Sequence, residues 1–331
     1  MSSTVPTIYV SDPVHDSVVA ALRAEHTVHL GYGPDAVDYA TVSSDVDAVL
    51  LRAEDFGRDK IEASPKLRII ARHGVGTNNV DLDAAREHGI WVTITPGGNS
   101  RAVAEHVFAL TLTLARKVAA GSNRTRDGIW TEGKSELTGI ELQGRTLGLL
   151  GLGNIGGHVA EIGRALGMDL LVSDPAVEDS TVAAIGGRRV DLDELVSGSD
   201  VLSLHAPLVP STRHIIGSAQ FDRMRPGALL INTSRGGLVD ENALLSALRS
   251  GRLGGAGLDV LDAESTEMRD PLPHNELPLD ELDNLIVTPH IGGQTDEALS
   301  KVGHAAVNCI QQVLAGDTPE NAVVAPARTA A

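Results

Sequence analysis

Aromatic residues are scarce in this chain. Only 2% of the 331 residues are Phe, Trp or Tyr, whereas 42% are hydrophobic. Aromatic side chains fill much of the volume of an ordinary core, so this core must be built from aliphatic side chains and alanine. The length predicts two domains, because single cores rarely grow beyond about 250–300 residues.

Cysteine and long apolar runs are also lacking. The single Cys309 excludes an intramolecular disulfide, and its place in a helical pattern from Ala298 to Leu314 favours a buried core thiol. No basic segment followed by an apolar stretch opens the sequence, and no run reaches the ~18 apolar residues of a membrane span. We therefore expect a cytoplasmic protein with no membrane partner.

Positive charge is outnumbered. The sequence has 27 Lys and Arg against 44 Asp and Glu, which gives a formal net charge of −17 at pH 7. Nucleic acid and anionic membranes would be repelled, so neither is expected as a partner. A small anionic ligand would need a local cationic site.

Glycine, by contrast, forms one informative cluster. The sequence GLGNIG at residues 151–156 follows the apolar run 146–150 and opens a helical pattern that reaches Leu166. In a dinucleotide-binding turn the first glycine permits the tight bend, the second lets a pyrophosphate approach, and the third lets helix pack on strand. The free amides of the helix start attract phosphates. The residues expected at the pyrophosphate are Gly151, Gly153, Asn154, Ile155 and Gly156.

Asp174 selects the form of the cofactor. It ends the next strand-like run, 169–173, where a carboxylate accepts hydrogen bonds from a ribose diol but repels a 2′-phosphate. No arginine immediately follows it. The sequence therefore favours NAD over NADP, and the alternative is an ordinary Asp-Pro turn with Pro175.

The apolar runs predict two α/β domains. After the turn cluster 96–99, a long apolar helix is expected from Ala102 to Ala120, and a last helix from about Thr295 to Leu314 follows the final strand. Packing that last helix on the first domain would make the first domain discontinuous. The strands expected in the first domain are Thr7 to Val10, Ala48 to Leu51, Leu67 to Ala71 and Trp91 to Thr95, and those in the second are 146–150, 169–173, 201–204, 228–232, 255–260 and 284–288. The tail from Pro319 to Ala331 is expected to be weakly ordered.

Three reactive side chains follow neighbouring strands of the second domain. Arg235 comes after the run 228–232, Glu264 after 255–260 and His290 after 284–288. Ligands of open α/β sheets bind at these carboxyl ends. Reduction of a 2-oxo acid needs a cation for the carboxylate, a proton donor for the carbonyl oxygen, and a carboxylate that orients the donor. Taken singly, each residue could instead be structural or solvated.

The motifs TSRGG, LDVxxxE and TPHIGG, in this order behind GLGNIG, resemble the D-isomer-specific 2-hydroxyacid dehydrogenases. GVGTNNVD at 74–81, GGNS at 97–100 and LHAPL at 204–208 extend the resemblance over almost the whole chain, and it is greatest to the phosphoglycerate dehydrogenases. It implies two Rossmann-like doubly wound domains. An NAD domain, residues 99–293, is inserted into a discontinuous flavodoxin-like catalytic domain, residues 1–98 plus 294–331. A homodimer built on the apolar helix is also implied.

The resemblance also implies roles for single residues. Arg235 would bind the substrate carboxyl or carbonyl group, His290 would be the acid/base, and Glu264 would pair with it. Amides near Val75 and Gly76 would hold the substrate carboxylate, and Asn99 is also expected to bind the substrate. No metal site is expected. Further contacts with NAD are expected from His205, Pro207, Thr212, Thr233, Arg235, Asp259, His290 and Gly293.

Arg52 and Arg72 bear on the identity of the substrate. Each follows a strand-like run, and both match arginines of phosphoglycerate dehydrogenases. A doubly anionic acid would need such a cationic pocket in a chain of net charge −17, although both could be solvated surface residues. The expected reaction is NAD-dependent hydride transfer at C2 of 3-phosphoglycerate or a similar anion.

Two alternatives remain open at this stage. One is a hydroxypyruvate or glyoxylate reductase. The other is an NAD-sensing, corepressor-like binding protein, against which the lack of a basic tail counts. The long regulatory extension of many phosphoglycerate dehydrogenases does not follow Ala331, so we do not expect control by serine.

Overall fold

A computed structural model describes residues 5–268, 270–279 and 281–326 of the chain. Its contacts divide the molecule into two units. The first unit comprises Met1–Asn99 and Gln294–Ala331, and the second comprises Ser100–Gly293. Both are α/β structures in which parallel strands alternate with helices.

The strands are β1 Thr7–Val10, β2 Thr27–Leu30, β3 Ala48–Leu51, β4 Ile69–Arg72, β5 Trp91–Thr93, β6 Thr146–Leu150, β7 Asp169–Ser173, β8 Gly187–Arg189, β9 Val201–Leu204, β10 Ala228–Asn232, β11 Leu253–Leu258, β12 Leu285–Val287 and β13 Ala322–Val324. The helices are α1 Asp16–Glu25, α2 Tyr39–Val42, α3 Arg58–Glu62, α4 Leu82–Glu87, α5 Ser100–Ala115, α6 Val118–Arg126, α7 Asn154–Ala165, α8 Asp179–Ala184, α9 Leu192–Gly198, α10 Ser218–Arg223, α11 Glu241–Arg249 and α12 Asp296–Ala315. None of the described helices is both long enough and apolar enough to cross a membrane.

The first unit is built on the sheet β13-β5-β4-β3-β1-β2, in which only the edge strand β13 runs antiparallel to its neighbour. Every residue of β3 is buried, as expected for a central parallel strand covered on both faces. Helix α12 packs one face of the sheet through residues that include Ala306 and Ile310. On the other face, Tyr9, Tyr39 and Phe56 stack edge to face with centroids 4.9 Å apart.

Both ends of α12 are fixed by local chemistry. The Thr295 hydroxyl accepts a hydrogen bond from the amide of Ala298 at 3.2 Å, and Gly316 ends the helix in the left-handed conformation at φ 94°. Cys309 lies on this helix and is buried in the core of the first unit, as predicted. The last helix of the chain therefore belongs to the same unit as the N-terminal strands.

The second unit is built on the all-parallel sheet β12-β11-β10-β9-β6-β7-β8. Alternate residues of one strand enter separate cores on the two faces, as Leu230 and Ile231 of β10 do. The strand order reverses between β6 and β9. In open α/β sheets this reversal creates the crevice in which ligands bind, outside the carboxyl ends of the strands.

The sequence missed three strands and one helix break. Strand β2 is only partly buried, β8 has the sequence Gly-Arg-Arg, and β13 is a three-residue edge strand, so none has the apolar run on which the prediction relied. The expected tail disorder is therefore wrong at residues 322–324, and residues 327–331 lie outside the described part. The helix expected from Ala102 to Ala120 is interrupted, because the chain turns through left-handed Lys117 at φ 53° between α5 and α6.

Candidate active site

The glycine loop lies between β6 and α7. Gly151 has a φ of 98°, and a Cβ there would lie 2.9 Å from the carbonyl carbon of His205. At Gly156 a Cβ would lie 2.5 Å from the carbonyl oxygen of Gly151. A Cβ at Gly153 would meet nothing within 4 Å. Packing therefore requires the first and third glycines, whereas the second faces open space of the kind that a pyrophosphate needs.

Asp174 is fixed beside this loop. Its Oδ2 accepts a hydrogen bond from the amide of Leu152 at 2.8 Å, and its Oδ1 accepts one from the amide of Ala176 at 2.8 Å. The second contact is the Asp-Pro turn that the sequence offered as an alternative. The other oxygen, Oδ2, bonds to the glycine loop. An Asp-Pro turn and a carboxylate placed beside the cofactor loop are therefore compatible.

Arg189 is a residue that the sequence missed. Its Nε donates to the carbonyl oxygen of Asp174 at 3.3 Å, and its Nη1 donates to the carboxylate of Asp179 at 3.1 Å. The absence of an arginine directly after Asp174 favours NAD. The pairing of β8 with β7 nevertheless brings one from fifteen residues later in the chain.

Three predicted cofactor contacts, His205, Pro207 and Thr212, lie in the loop after β9. The imidazole of His205 contacts the Ser203 hydroxyl at 2.9 Å, and burial lowers the pKa of His205 to about 4, so the ring is neutral near pH 7. Thr212 donates its hydroxyl to the carbonyl oxygen of Pro207 at 2.6 Å. This bond holds the loop after β9 in its present form.

Thr233 offers a test of whether a ligand fits here. Its Oγ1 is buried and has no hydrogen-bond partner within the described ranges. Buried hydroxyls are normally satisfied, so this atom fits a site completed by a bound molecule. With the space before Gly153 and the carboxylate of Asp174, the second unit has the groups that a dinucleotide requires.

His290 and Glu264 form a close pair. Nδ1 of His290 lies 2.7 Å from Oε2 of Glu264. The other carboxylate oxygen, Oε1, accepts a hydrogen bond from the amide of Leu261 at 2.9 Å. The Glu264 side chain is 11% exposed and that of His290 46% exposed. The Leu261 amide thus fixes the Glu264 carboxylate. Because Nδ1 of His290 is paired with Glu264, Nε2 of His290 is the nitrogen that can contact a substrate.

Arg235 lies near the same carboxylate. Its Nη1 donates to the carbonyl oxygen of Ser234 at 2.6 Å, and the side-chain amide of Asn232 donates to the carbonyl oxygen of Arg235 at 2.8 Å. Burial lowers the pKa of the guanidinium, and the negative charge of Glu264 opposes that shift. Arginine keeps its charge in proteins, so a fixed cation stands beside the pair.

His290 adopts a left-handed backbone conformation at φ 52°. This costs a residue other than glycine about 1–2 kcal/mol. The amide of His290 donates to the carbonyl oxygen of Asp259 at 3.0 Å, and the following amides of Ile291 and Gly292 donate to the Asp259 carboxylate at 2.8 and 2.7 Å. Asp259, predicted as a cofactor contact, therefore also secures the loop that carries His290 and, next to it, Gly293.

Three predicted substrate residues of the first unit, Arg72, Val75 and Gly76, lie at one loop. Val75 is 49% exposed, and the preceding amide, of Gly74, donates to the Thr95 hydroxyl at 2.9 Å. Buried Arg72 donates through Nε to the carbonyl oxygen of Gly76 at 2.7 Å and through Nη1 to that of Leu51 at 2.8 Å. Arg72 thus holds the loop that begins at Gly74.

The other two residues predicted for this role differ in their surroundings. Arg52 donates to the carbonyl oxygen of Pro13 at 2.8 Å, and burial lowers its pKa, although the negative charge of Asp12 opposes that shift. Asn99 is the last residue of the first segment of this unit and is partly exposed. Within the described residues no group of three or more His, Cys, Asp or Glu is placed to hold a metal ion.

Comparison with known proteins places this geometry in a family. Residues 108–292 match the D-isomer specific 2-hydroxyacid dehydrogenase, NAD binding domain. The chain belongs to the D-isomer specific 2-hydroxyacid dehydrogenase family. The cofactor-binding fold of its second unit is therefore the NAD-binding fold of that family.

Relatives and solved structures agree with this assignment. The chain is 37% identical to D-3-phosphoglycerate dehydrogenase of Methanocaldococcus jannaschii over 321 residues, which are 96% of this chain and 59% of that protein. It is 38% identical to hydroxypyruvate reductase of Thermotoga maritima, over 89% of this chain and 94% of the relative. D-lactate dehydrogenase from Aquifex aeolicus, complexed with NAD and lactic acid, superposes with a TM-score of 0.82 at 30% identity, covering 97% of this chain and 100% of that structure. The chain thus spans about three-fifths of the length of the phosphoglycerate dehydrogenase relatives that it matches.

Proposed function

We propose that this family member is an NAD-dependent D-2-hydroxyacid dehydrogenase. The contact between Nδ1 of His290 and Oε2 of Glu264 at 2.7 Å carries the proposal, because it leaves the outer imidazole nitrogen for a proton transfer. Arg235 supplies a fixed charge beside the pair, and the same unit carries the glycine loop. Bound NAD would accept a hydride from C2 of the hydroxy acid.

The three side chains have separate roles in proton transfer and substrate binding. In the oxidising direction Nε2 of neutral His290 takes the hydroxyl proton, and Glu264 stabilises the imidazolium that forms. Arg235 binds the carboxyl or carbonyl oxygen of the substrate. In the reducing direction the protonated imidazole returns the proton to the carbonyl oxygen.

For the substrate we propose D-3-phosphoglycerate or a similar doubly charged acid, with the amides of Val75 and Gly76 and the side chain of Asn99 holding its carboxylate. Arg52 and Arg72 would bind the second charge. The phosphoglycerate dehydrogenase relatives support this proposal. A small-acid reductase is the second candidate, because the hydroxypyruvate reductase of T. maritima matches the chain over almost its own full length. The relatives and structures named above do not support the corepressor-like alternative.

A substrate panel tests both candidates. The assay compares NADH-dependent reduction of phosphorylated and unphosphorylated 2-oxo acids at equal concentration. His290→Asn should lower kcat by about 10²–10⁴-fold while NADH still binds. Arg52→Ala should raise KM for a phosphorylated acid far more than for hydroxypyruvate or glyoxylate. Arg72→Ala should raise KM for both kinds of acid, because Arg72 also bonds to the carbonyl oxygen of Gly76 in the loop proposed to hold the carboxylate. Equal effects of Arg52→Ala on both substrates would favour the small-acid reductase. No turnover of any 2-oxo acid would exclude the dehydrogenase.

We also propose that the protein is cytoplasmic and forms a homodimer. The dimer would explain apolar side chains left exposed on and after α6, notably Val118 and Trp130.

A further inference from the structure

A hydrogen-bond chain leads from helix α5 to the loop that carries His290. Nε2 of His106, on α5, lies 3.0 Å from Oγ1 of Thr288, and that hydroxyl donates to Oδ1 of Asp259 at 2.6 Å. The same Nε2 also lies 3.4 Å from Oδ1 of Asp259. The chain is shielded from water, since the His106 side chain is 17% exposed and that of Asp259 is 2% exposed. No role assigned above uses His106 or Thr288.

The direction of each bond in this chain can be assigned. Burial would raise the pKa of Asp259, but the hydrogen bonds from His106, Thr288 and the amides of Ile291 and Gly292 outweigh it and leave the pKa below the usual range. Asp259 is thus an ionised acceptor, and the Thr288 hydroxyl must donate to it. The lone pair of that hydroxyl then accepts from His106, whose Nε2 carries a proton.

The geometry around Asp259 leaves little freedom. A Cβ on Gly292 would lie 2.8 Å from Oδ2 of Asp259 and 3.6 Å from Cδ2 of His106. The carboxylate also holds the two amides that follow the left-handed residue His290. A shift of Asp259 would therefore release the backbone that directs the imidazole towards Glu264.

We propose that His106 is a positioning residue that, through Thr288 and Asp259, holds the His290 loop in its left-handed conformation. Helix α5 would then set the orientation of the acid/base group. The proposal rests on the proposed function for its effect on turnover, but not for its effect on the conformation of His290.

Matched variants separate this role from general stability. His106→Leu and Thr288→Val remove the donor and the hydroxyl at similar volume, and each should lower kcat by about 10- to 100-fold, because small misplacements of a reacting group have effects of that size. KM for the 2-oxo acid should stay within about twofold, since uniform substrate binding is untouched. His106→Gln and Thr288→Ser keep the hydrogen-bonding atoms and should recover most of the lost kcat. Thr111→Val removes another buried hydroxyl of α5, one that bonds to the carbonyl oxygen of Val107 at 2.7 Å, and should leave kcat unchanged.

A double variant tests whether the residues act in series. His106→Leu combined with Thr288→Val should lower kcat by less than the product of the two single effects, because both side chains act through the same Asp259 carboxylate. If the two fold-changes multiply, the residues act independently and the proposed chain is wrong. Melting curves of all the full-length variants establish that the proteins compared are folded.

The second readout does not depend on turnover. The ¹⁵N shift of His290 Nδ1 in the NAD-free protein reports its bond to Glu264. We expect this shift to move in His106→Leu and Thr288→Val and to return in the Gln and Ser variants. If it moves while the wild type turns over no 2-oxo acid, the positioning role stands and the proposed function falls. An unmoved shift with unchanged kcat would overturn the positioning role.

Discussion

The two oxygens of the Glu264 carboxylate have different partners. Oε1 accepts the amide of Leu261, and Oε2 contacts Nδ1 of His290. Glu264→Gln would keep the shape and remove the charge. The carboxylate stabilises the positive charge of the imidazole that donates the proton in reduction.

We therefore expect Glu264→Gln to lower kcat for reduction by about 10²-fold, the lower end of what general acid–base catalysis contributes. The measurement is kcat at saturating 2-oxo acid. Glu267→Gln, a nearby acidic change outside the pair, is the control and should leave kcat unchanged. An unchanged kcat in Glu264→Gln would show that the pair does not support the proton transfer.

Asp174 and Arg189 together bear on the choice between NAD and NADP. Asp174→Ala removes the ribose acceptor and the repulsion of a 2′-phosphate, so NAD should bind more weakly and the preference over NADP should narrow. Because Arg189 already contacts the Asp174 backbone, it is placed to receive a phosphate in that variant.

Adding Arg189→Leu to Asp174→Ala should therefore weaken NADP again while leaving NAD as it was. Titrations with NADH and NADPH, followed by nucleotide fluorescence, give the ratio of the two Kd values. Unchanged selectivity in Asp174→Ala would remove the assignment of this carboxylate to the ribose.

His73 makes stability depend on pH. Burial, together with the nearby charges of Arg52 and Arg72, lowers the pKa of His73 to about 4. The hydrogen bond to the carbonyl oxygen of Leu299 opposes this shift but does not cancel it. The folded pKa lies below the unfolded value of 6.5. As pH falls through this window the unfolded chain binds a proton that the folded chain does not, so stability drops, by up to about 3 kcal/mol near pH 4.

Urea unfolding at about pH 7 and about pH 5 checks this sign. His73→Gln, which does not titrate, should lose less stability over this interval than the wild type. His88→Gln, at an exposed histidine of the same unit, should follow the wild type. Equal losses in all three proteins would show that His73 is not the group responsible.

At the scale of elements, the packing of α1 on α12 depends on one glycine. A Cβ on Gly303 would lie 2.4 Å from Cγ2 of Val18, which is fully buried. Gly303→Ala should therefore destabilise the protein by about 1–3 kcal/mol, more than the helix propensity of alanine returns. Thermal unfolding measures the change, and adding Val18→Ala should relieve it. Asn308→Ala, at an exposed site of α12, should not lower the midpoint.

Strands were predictable where burial on both faces makes them continuously apolar. The runs 201–204 and 228–232 became β9 and β10 with the predicted bounds. Strand β8 could not be predicted, since Gly-Arg-Arg carries no such pattern and only its pairing with β7 makes it a strand. Arg189 was missed with it, which is why the sequence overlooked a cation beside Asp174.

The candidate site likewise has a part that the sequence could predict and a part that it could not. Arg235, Glu264 and His290 follow neighbouring strands, and parallel strands bring their carboxyl ends to one edge, so their proximity could be predicted. The bond between His106 and Thr288 joins residues 182 positions apart. No local pattern encodes it, although Thr288 stood within the recognised TPHIGG motif.

For the whole molecule, the structure exposes a different apolar surface from the one expected to support a dimer. The apolar helix was expected to expose more hydrophobic surface than one domain could cover. Most of α5 is instead buried, through residues such as Val107 and Leu114, against its own unit. The surface that needs a partner lies just beyond it: none of the nine residues of α6 is buried, and Trp130 is 76% exposed.

A helix without any buried residue gains little from packing, and helices this short are marginal alone in water. Exposed apolar side chains such as Val118, Ile129 and Trp130 mark association sites when they lie together. We therefore expect a dimer at micromolar concentration in sedimentation velocity, and Trp130→Asp should shift it to monomer. Val323→Asp, at an exposed apolar residue of β13, is the matched control and should leave the dimer intact. A wild-type protein that sediments as a monomer would contradict the dimer. A Trp130→Asp variant that remains dimeric would assign the interface to another surface.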